Sequence, residues 1–203
     1  MASETNGPLR VLGLDPGSRT TGWGCVAVEG SRSSLLACGC IEPPENAPLP
    51  QRLALLAAEL AALLEQWRPA VAVLEEPFHG VNSRSLIVLA QARGALLATL
   101  ATREVVIEEY SPAEVKSAVT GNGRAGKAQV TEMVTRILTL QQKPTPADAA
   151  DALALAICHC WRAPLIARMA EAEAMAAEQR RKYQATLKAQ AKATPGRMSR
   201  SAT

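Results

Sequence analysis

The segment that most constrains this chain is residues 147–161, an apolar stretch of helical length that carries two aspartates. Apart from Asp148, Asp151 and one His, it consists of Ala, Leu, Ile, Cys and a final Trp. A helix without a polar side is typical of a protein core. The spacing of three residues places both carboxylates on one side of the helix. Two carboxylates in such a place repel each other and lose hydration unless a cation compensates them.

Asp148 by itself has an ordinary explanation. With Thr145 as the N-cap and Pro146 at the first helical position, Asp148 falls in the first turn, where the helix dipole favours a negative charge. The explanation fails for Asp151, which is one turn further in. We therefore expect the pair to bind a hard divalent metal ion through its oxygen atoms. A structural pair, hydrogen-bonded to the backbone, is the alternative.

The rest of the chain alternates strand and helix patterns. Short apolar runs bounded by turn residues predict five strands, at residues 9–14, 22–29, 34–41, 70–75 and 104–110. Apolar spacings of three and four predict five helices, at residues 53–67, 83–101, 112–120, 127–140 and 145–161. Three strands in succession, followed by alternating helices and strands, indicate an α/β fold with a mixed sheet.

Two further carboxylates stand at the ends of predicted strands. Asp15 follows the first strand, where it also suits a turn before Pro and Gly, and Glu75 ends the strand at residues 70–75. A right-handed crossover that pairs these two strands would bring both residues to one sheet edge, where open α/β sheets place their sites. Neighbouring Glu76 competes with Glu75, because successive side chains of a strand point to opposite faces. With the two helix aspartates, such an edge predicts a two-metal phosphodiesterase site.

Four blocks of sequence carry a more specific signal: residues 12–24 (LGLDPGSRTTGWG), 75–78 (EEPF), 91–94 (QARG) and 147–154 (ADAADALA). In this order and at these separations they resemble the RuvC Holliday junction resolvases, a likeness that extends over residues 9–162. The resemblance implies an RNase H-like fold, with a five-stranded mixed sheet flanked by helices, and a homodimer. It also implies symmetric, paired nicking of four-way DNA junctions in recombination and repair, leaving 5′-phosphate and 3′-hydroxyl ends.

The resemblance assigns catalysis and metal binding to the same acidic side chains. Carried over residue by residue, the quartet is Asp15, Glu75, Asp148 and Asp151, and alignment through the EEPF block selects Glu75 over Glu76. Two Mg²⁺ or Mn²⁺ ions per active site are implied as the cofactors. The RuvA–RuvB branch-migration complex is implied as a protein partner, beside the four-way junction itself.

Six residues are candidates for contact with DNA. Phe78, the one Phe of the chain, lies three residues after Glu75, where stacking on bases competes with an ordinary place in the core. Two lysines match basic positions of the family, and three other polar residues lie near helix starts or in a Gly-containing loop. These five are Lys116, Lys127, Asn82, Arg84 and Arg124. Solvated side chains without a ligand are the alternative for all five.

Gly94 stands in the middle of a predicted helix, where Gly costs about 1 kcal/mol relative to Ala. Close approach of another helix would justify it. The dimer interface is one candidate for that approach, and packing within the chain is the other.

Charge is distributed unevenly along the chain. Residues 162–203 hold nine basic and three acidic side chains, an excess that suggests a polyanionic partner or a solvated tail. We expect three regions: a flexible N-terminus at 1–8, a nuclease domain at 9–162, and a basic tail at 163–203 that is partly helical or disordered.

Compartment and membrane contact follow from composition. No apolar run approaches the roughly 20 residues of a membrane span, and the N-terminus lacks the pattern of a signal peptide. The five Cys are an odd number in a chain long enough to fold without disulfides. We therefore expect a cytoplasmic protein without a membrane partner.

Three other functions compete with junction cleavage. The strand-end Asp-Pro-Gly turn also resembles actin-like sugar kinases and chaperone ATPases, but those need two such domains, and 203 residues provide one. The second competing function is that of a non-catalytic junction-binding module. The third is that of a related nuclease that cuts RNA–DNA hybrids.

Overall fold

A computed structural model of the chain describes residues 8–17, 19–30, 32–76 and 83–193. The predicted flexible N-terminus lies outside these ranges except for Pro8. The elements are β1 (Leu9–Pro16), β2 (Thr21–Glu29), β3 (Arg32–Ile41), α1 (Leu49–Trp67), β4 (Val71–Glu75), α2 (Ser83–Ala101), β5 (Val106–Tyr110), α3 (Pro112–Thr120), α4 (Lys127–Ile137) and α5 (Ala147–Ala193).

The five strands form one sheet in the order β3-β2-β1-β4-β5. The first three strands pair antiparallel, whereas β4 pairs parallel to both β1 and β5. The predicted mixed sheet flanked by helices is therefore confirmed. Leu14 of β1 lies opposite Leu74 of β4. The residues that follow them, Asp15 and Glu75, therefore lie side by side near the ends of their strands.

Nine of the twenty element boundaries differ from the prediction, eight of them by one to four residues, and α5 continues to Ala193 instead of ending near residue 161. Two of the small differences have a local reason. β5 begins at Val106 and not at 104, because Glu104 adopts a positive φ of 55°. α4 ends at Ile137, since its chain reverses at Thr139, where φ is 53°. α5 begins at Ala147, one residue later than a helix capped by Thr145 would.

The sheet separates two apolar clusters. On one face, Leu12, Leu14 and Leu74 pack with the buried leucines of α1 and α2. On the other face, Val11 and Val73 pack with α3, α4 and the first part of α5. From Ala152 to Cys158 every residue of α5 is buried. The prediction of a core helix is confirmed.

The apolar character of α5 corrects the expectation that no run is long enough to span a membrane. Among the described residues one helical stretch, Ala147–Ile166, is long and apolar enough by length and composition alone, and 61% of its 18-residue apolar window is buried inside the fold. Packing against the sheet accounts for this apolarity.

The chain divides into two compact units, Met1–Arg162 and Ala163–Thr203. Taken by itself, the second unit is helical as far as Ala193, and its described side chains from 171 to 182 are exposed.

Candidate active site

The strand ends place two carboxylates on the α5 face of the sheet. Leu14 and Leu74 pack toward α1 and α2, so alternation sends Asp15 and Glu75 to the opposite face. Glu75 is partly buried and lines a cavity together with Asp15 and Asp151. Glu76 is exposed and lines a different groove, beside α2. Alternation along the strand did not distinguish Glu75 from Glu76, whereas the geometry places only Glu75 at the acidic cavity.

Glycines in β1 and β2 allow α5 to lie directly on the sheet. A Cβ built on Gly13 would overlap the carbonyl oxygen of Ala152, and one on Gly22 would overlap that of Asp148. Gly22 pairs with Asp15 across the two strands. Only glycine permits so close an approach of helix backbone to strand backbone. Because these glycines have no side chains, α5 lies close enough to the sheet to bring Asp148 and Asp151 next to Asp15.

The acidic side chains converge as a result. Asp15, Asp148 and Asp151 each offer a carboxylate oxygen within 4.8 Å of the other two. With Glu75, Asp15 and Asp151 also line a cavity of about 190 Å³. The four carboxylates come from three separate elements, β1, β4 and α5, and meet at one place.

The cluster is electrostatically strained. Burial raises the pKa of Asp15 to about 7, and the charges of Asp151 and Glu75 act in the same direction. Burial also raises the pKa of Glu75, again with a contribution from Asp151. One lysine partly offsets this repulsion: the Nζ of Lys127 donates a hydrogen bond of 3.0 Å to Oδ2 of Asp151. That bond raises the pKa of Lys127.

The donor set fits a hard divalent cation. All the converging ligand atoms are carboxylate oxygens, which such ions prefer. Ionised carboxylates within 4.8 Å of one another are stable only beside compensating positive charge. The two lysines that line the cavity, Lys116 and Lys127, cannot balance four acidic groups. The arrangement can therefore hold metal ions against a phosphate group.

Two predicted DNA-contact lysines lie at the same cavity. Lys116 of α3 and Lys127 at the start of α4 both line it. The position of α3 is fixed at its N-terminus by a capping box between Ser111 and Glu114. Glu114 also accepts a 2.7 Å hydrogen bond from Arg162 of α5. Lys116 is thus carried by a helix that is tied to the helix of the aspartates.

The remaining predicted DNA-contact residues are not brought to the cavity in the described part of the chain. Arg124 is exposed in the loop between α3 and α4. Phe78 and Asn82 lie outside the described residues, and Arg84 belongs to α2 but its side chain is not described. Their roles stay predictions.

Two features of the site were missed by sequence reasoning. One is the pair Gly13 and Gly22, although glycines inside strands are a recognised sign of close approach. The other is Arg93, which donates a 2.7 Å hydrogen bond to the carbonyl oxygen of Glu75. The QARG block drew attention to Gly94, whereas its arginine is the residue that contacts the site.

Known proteins resemble this chain over most of its length. The sequence profile described as "Crossover junction endodeoxyribonuclease RuvC" matches residues 11–159. A protein of that name from Mycolicibacterium vanbaalenii is 53% identical over 194 residues, which is 95% of this chain and 99% of the relative. The one from Mycolicibacterium smegmatis is 50% identical over 182 residues, 89% of this chain and 98% of the relative.

Solved structures agree with the sequence comparison. Thermus thermophilus RuvC in complex with a Holliday junction substrate is 33% identical, with a TM-score of 0.74, covering 77% of this chain and 96% of that one. The yeast mitochondrial Holliday junction resolvase Ydc2, 16% identical with a TM-score of 0.58 over 77% of this chain and 80% of that one, shares the fold. With its five-stranded sheet, its converging carboxylates and these relatives, the chain belongs to the RuvC family of crossover junction endodeoxyribonucleases, which are nucleases of RNase H-like fold.

Proposed function

We propose that this protein resolves four-way DNA junctions by paired, symmetric nicks that leave 5′-phosphate and 3′-hydroxyl ends, in homologous recombination and repair. The observation that carries the proposal is the convergence of three carboxylates, from Asp15, Asp148 and Asp151, within 4.8 Å of one another. Glu75 lines the same cavity. A protein of this family with an intact acidic site is suited to cut the junction that it binds.

The proposed cofactors are two Mg²⁺ or Mn²⁺ ions per site. Asp15, Glu75, Asp148 and Asp151 would hold them. When bound, such ions neutralise charge on the scissile phosphate and acidify a water molecule. The carboxylates themselves fix where the ions bind, and their burial keeps competing water away.

The lysines of the cavity would face the DNA backbone. Lys116 and Lys127 line the acidic cavity, and their ammonium groups can pair with the phosphates on either side of the cut. Lys127 also holds Asp151 at 3.0 Å, which orients that carboxylate. Phe78, Asn82, Arg84 and Arg124 complete the proposed DNA-contact set.

A homodimer would supply the two active sites that paired nicks require. The apolar face of α2 favours this helix as the contact surface of the dimer. A groove of about 410 Å³ runs along this helix and reaches Asp15 and Glu75 at one end. Ile87 of the same helix is 59% exposed. An apolar surface of this kind beside the site suits a second copy of the chain.

The proposed domain organisation is a flexible N-terminus at 1–8, a nuclease domain at 9–162 and a basic tail at 163–203. We further propose a cytoplasmic location, no membrane partner, and cooperation with the RuvA–RuvB branch-migration complex. The apolar stretch Ala147–Ile166 is mostly buried in the fold, which supports a protein that is not embedded in lipid.

Cleavage of three matched substrates tests the function. A four-way junction, an RNA–DNA hybrid and a plain duplex of equal length are incubated with Mg²⁺ or Mn²⁺. We expect paired nicks in the junction alone, at symmetric positions and with ligatable ends. Cutting of the hybrid instead would favour the RNase H-like alternative, and binding of the junction without nicks would indicate a non-catalytic module.

A further inference from the structure

Arg93 of α2 reaches the catalytic strand end from the far side of the sheet. Its side chain is only 12% exposed. Nη1 donates a 2.7 Å hydrogen bond to the carbonyl oxygen of Glu75, and Nη2 pairs with Oε1 of Glu109. Because Glu75 projects its carboxylate to the α5 face, the Arg93 guanidinium and the Glu75 carboxylate lie on opposite faces of the sheet.

This contact acts on the backbone at the last residue of β4. β4 ends at Glu75, which pairs with Tyr110 of β5. One further backbone hydrogen bond follows, from the Glu76 N–H to the Tyr110 carbonyl oxygen at 2.9 Å, so the bond from Arg93 holds the carbonyl side of a peptide group whose N–H side is already held by β5. A small rotation of the main chain at a strand end moves the Glu75 carboxylate, and a displacement of about 1 Å in an active site can lower the reaction rate substantially. A fixed carbonyl oxygen limits that rotation.

Arg93 has a charge partner of its own on β5. Glu109, the neighbour of Tyr110, forms an ion pair with the guanidinium. The pair as a whole carries no net charge, although the guanidinium still acts on Glu75 by lowering its pKa, against the larger effect of burial. What remains specific to Arg93 is the fork of its guanidinium, which meets a carbonyl and a carboxylate at once; a lysine cannot reproduce it.

The same arginine lines the apolar groove along α2, next to Gly94 and Leu97. We propose that Arg93 is a positioning residue, which fixes the Glu75 carboxylate in the metal site and links that carboxylate to the α2 face on which a second copy would pack. The inference rests on the proposed function, in that it takes Glu75 as a metal ligand and α2 as the dimer surface.

Four variants test the proposal. Arg93→Met removes both contacts, Arg93→Lys retains the charge without the fork, and Glu109→Gln removes the ion pair while leaving the bond to the Glu75 carbonyl. Arg136→Met is the matched control, because Arg136 forms an ion pair with Glu132 on the surface of α4. Folding of each variant is checked by its thermal unfolding midpoint.

Two measurements are made on each variant: binding of Mn²⁺ in the absence of DNA, by calorimetry, and kcat and KM for a four-way junction. We expect Arg93→Met to weaken Mn²⁺ binding and lower kcat by about 10- to 100-fold, the range typical of residues that orient metal ligands, with KM unchanged. Arg93→Lys should recover part of the loss. Glu109→Gln and Arg136→Met should resemble the wild type in both measurements.

Two outcomes would overturn the proposal. One is an Arg93→Met protein that folds, binds Mn²⁺ and cuts junctions as the wild type does. The other is an equal loss in Glu109→Gln, which would attribute the effect to the ion pair and general stability. If Arg93→Met does not fold, Arg93→Lys is compared with Glu109→Gln. A larger loss of Mn²⁺ binding and kcat in Arg93→Lys supports the proposal, and an equal loss in both variants overturns it. Failure of the proposed function is distinguishable, because wild-type protein would then leave junctions intact while Mn²⁺ binding still reports on Arg93.

Discussion

Gly22 of β2 lies directly beneath the backbone of Asp148, so closely that a single methyl group on Gly22 would overlap the Asp148 carbonyl. We predict that Gly22→Ala displaces the start of α5 from the sheet and moves Asp148 away from Asp15. Nicking should fall by at least tenfold, about 1.4 kcal/mol in the barrier. Unfolding free energy should fall by about 1–3 kcal/mol, the usual cost of overpacking. Cleavage rates and urea unfolding measure the two effects.

Gly126→Ala is the control for that substitution, because among the described residues a Cβ built on Gly126 meets no atom within 4 Å apart from its chain neighbours, and its φ of −77° suits any residue. A Gly22→Ala protein with wild-type stability and activity would show that α5 adapts without cost.

Gly94→Ala tests the proposed dimer surface. Within the described part of one chain the new methyl group meets nothing within 4 Å beyond its own helix backbone, and Ala is favoured over Gly in a helix by about 1 kcal/mol. If a second copy packs closely on α2, the same methyl group obstructs it. We expect the monomer to gain stability while dimerisation weakens by about tenfold, as measured by analytical ultracentrifugation over a range of concentrations. Unchanged or tighter dimerisation would place the interface elsewhere.

Asp15→Asn should stabilise the metal-free protein in a pH-dependent way. The pKa of Asp15 is raised by burial and neighbouring carboxylates from 3.8 to about 7 in the folded state. The folded state therefore holds the Asp15 proton more tightly than the unfolded state, and wild-type stability falls as pH rises from about 4 to 7. Asn does not titrate. We expect the stabilisation by Asn to be about 2 kcal/mol larger at pH 8 than at pH 5.

Guanidinium unfolding in the presence of EDTA at both pH values measures this difference. The same variant should not nick junctions, because it lacks a proposed metal ligand. Equal stabilisation at pH 5 and pH 8 would mean that Asp15 titrates normally.

Asp151→Asn should separate binding from cleavage. The substitution preserves shape but removes one charge from the cluster and weakens the partner of Lys127, whose Nζ lies 3.0 Å from Oδ2. Nicking in Mg²⁺ should fall to background, while junction affinity in a gel-shift assay stays near that of the wild type. Near-normal nicking by this variant would contradict the assignment of the acidic quartet. Glu132→Gln, on the surface of α4, is a matched control for the loss of one carboxylate from an ion pair.

Truncation after residue 163 should weaken binding to DNA in general. The removed segment contains eight basic and three acidic side chains. For every phosphate that the protein no longer neutralises, the slope of log affinity against log salt becomes shallower by about 0.9. We expect lower affinity for duplex and junction alike, a shallower salt dependence, and an unchanged rate of nicking at saturating DNA. An affinity at low salt equal to that of the full chain would exclude DNA as the partner of the tail.

The sequence alone determined the elements of the fold and the acidic residues of the candidate site. Period-two and period-3.6 patterns depend on neighbours along the chain. They located the five strands and the first four helices to within four residues, and they located the start but not the end of α5, which continues to Ala193. A helix without a polar side, interrupted by Asp148 and Asp151, was sufficient to predict both its burial and a compensating cation. Motif spacing supplied Asp15 and Glu75.

The way in which these residues meet depends on contacts between remote segments. The family resemblance selected Glu75 over Glu76, but the physical reason lies in the packing: Glu75 projects to the face of the sheet that carries α5, and Glu76 does not. The contact of Arg93 with Glu75, 18 residues apart in the chain, depends on the packing of α2 beneath β4. The glycines beneath α5 are needed only because that helix crosses β1 and β2. Such relationships are distances between segments remote in sequence, and no local pattern encodes them.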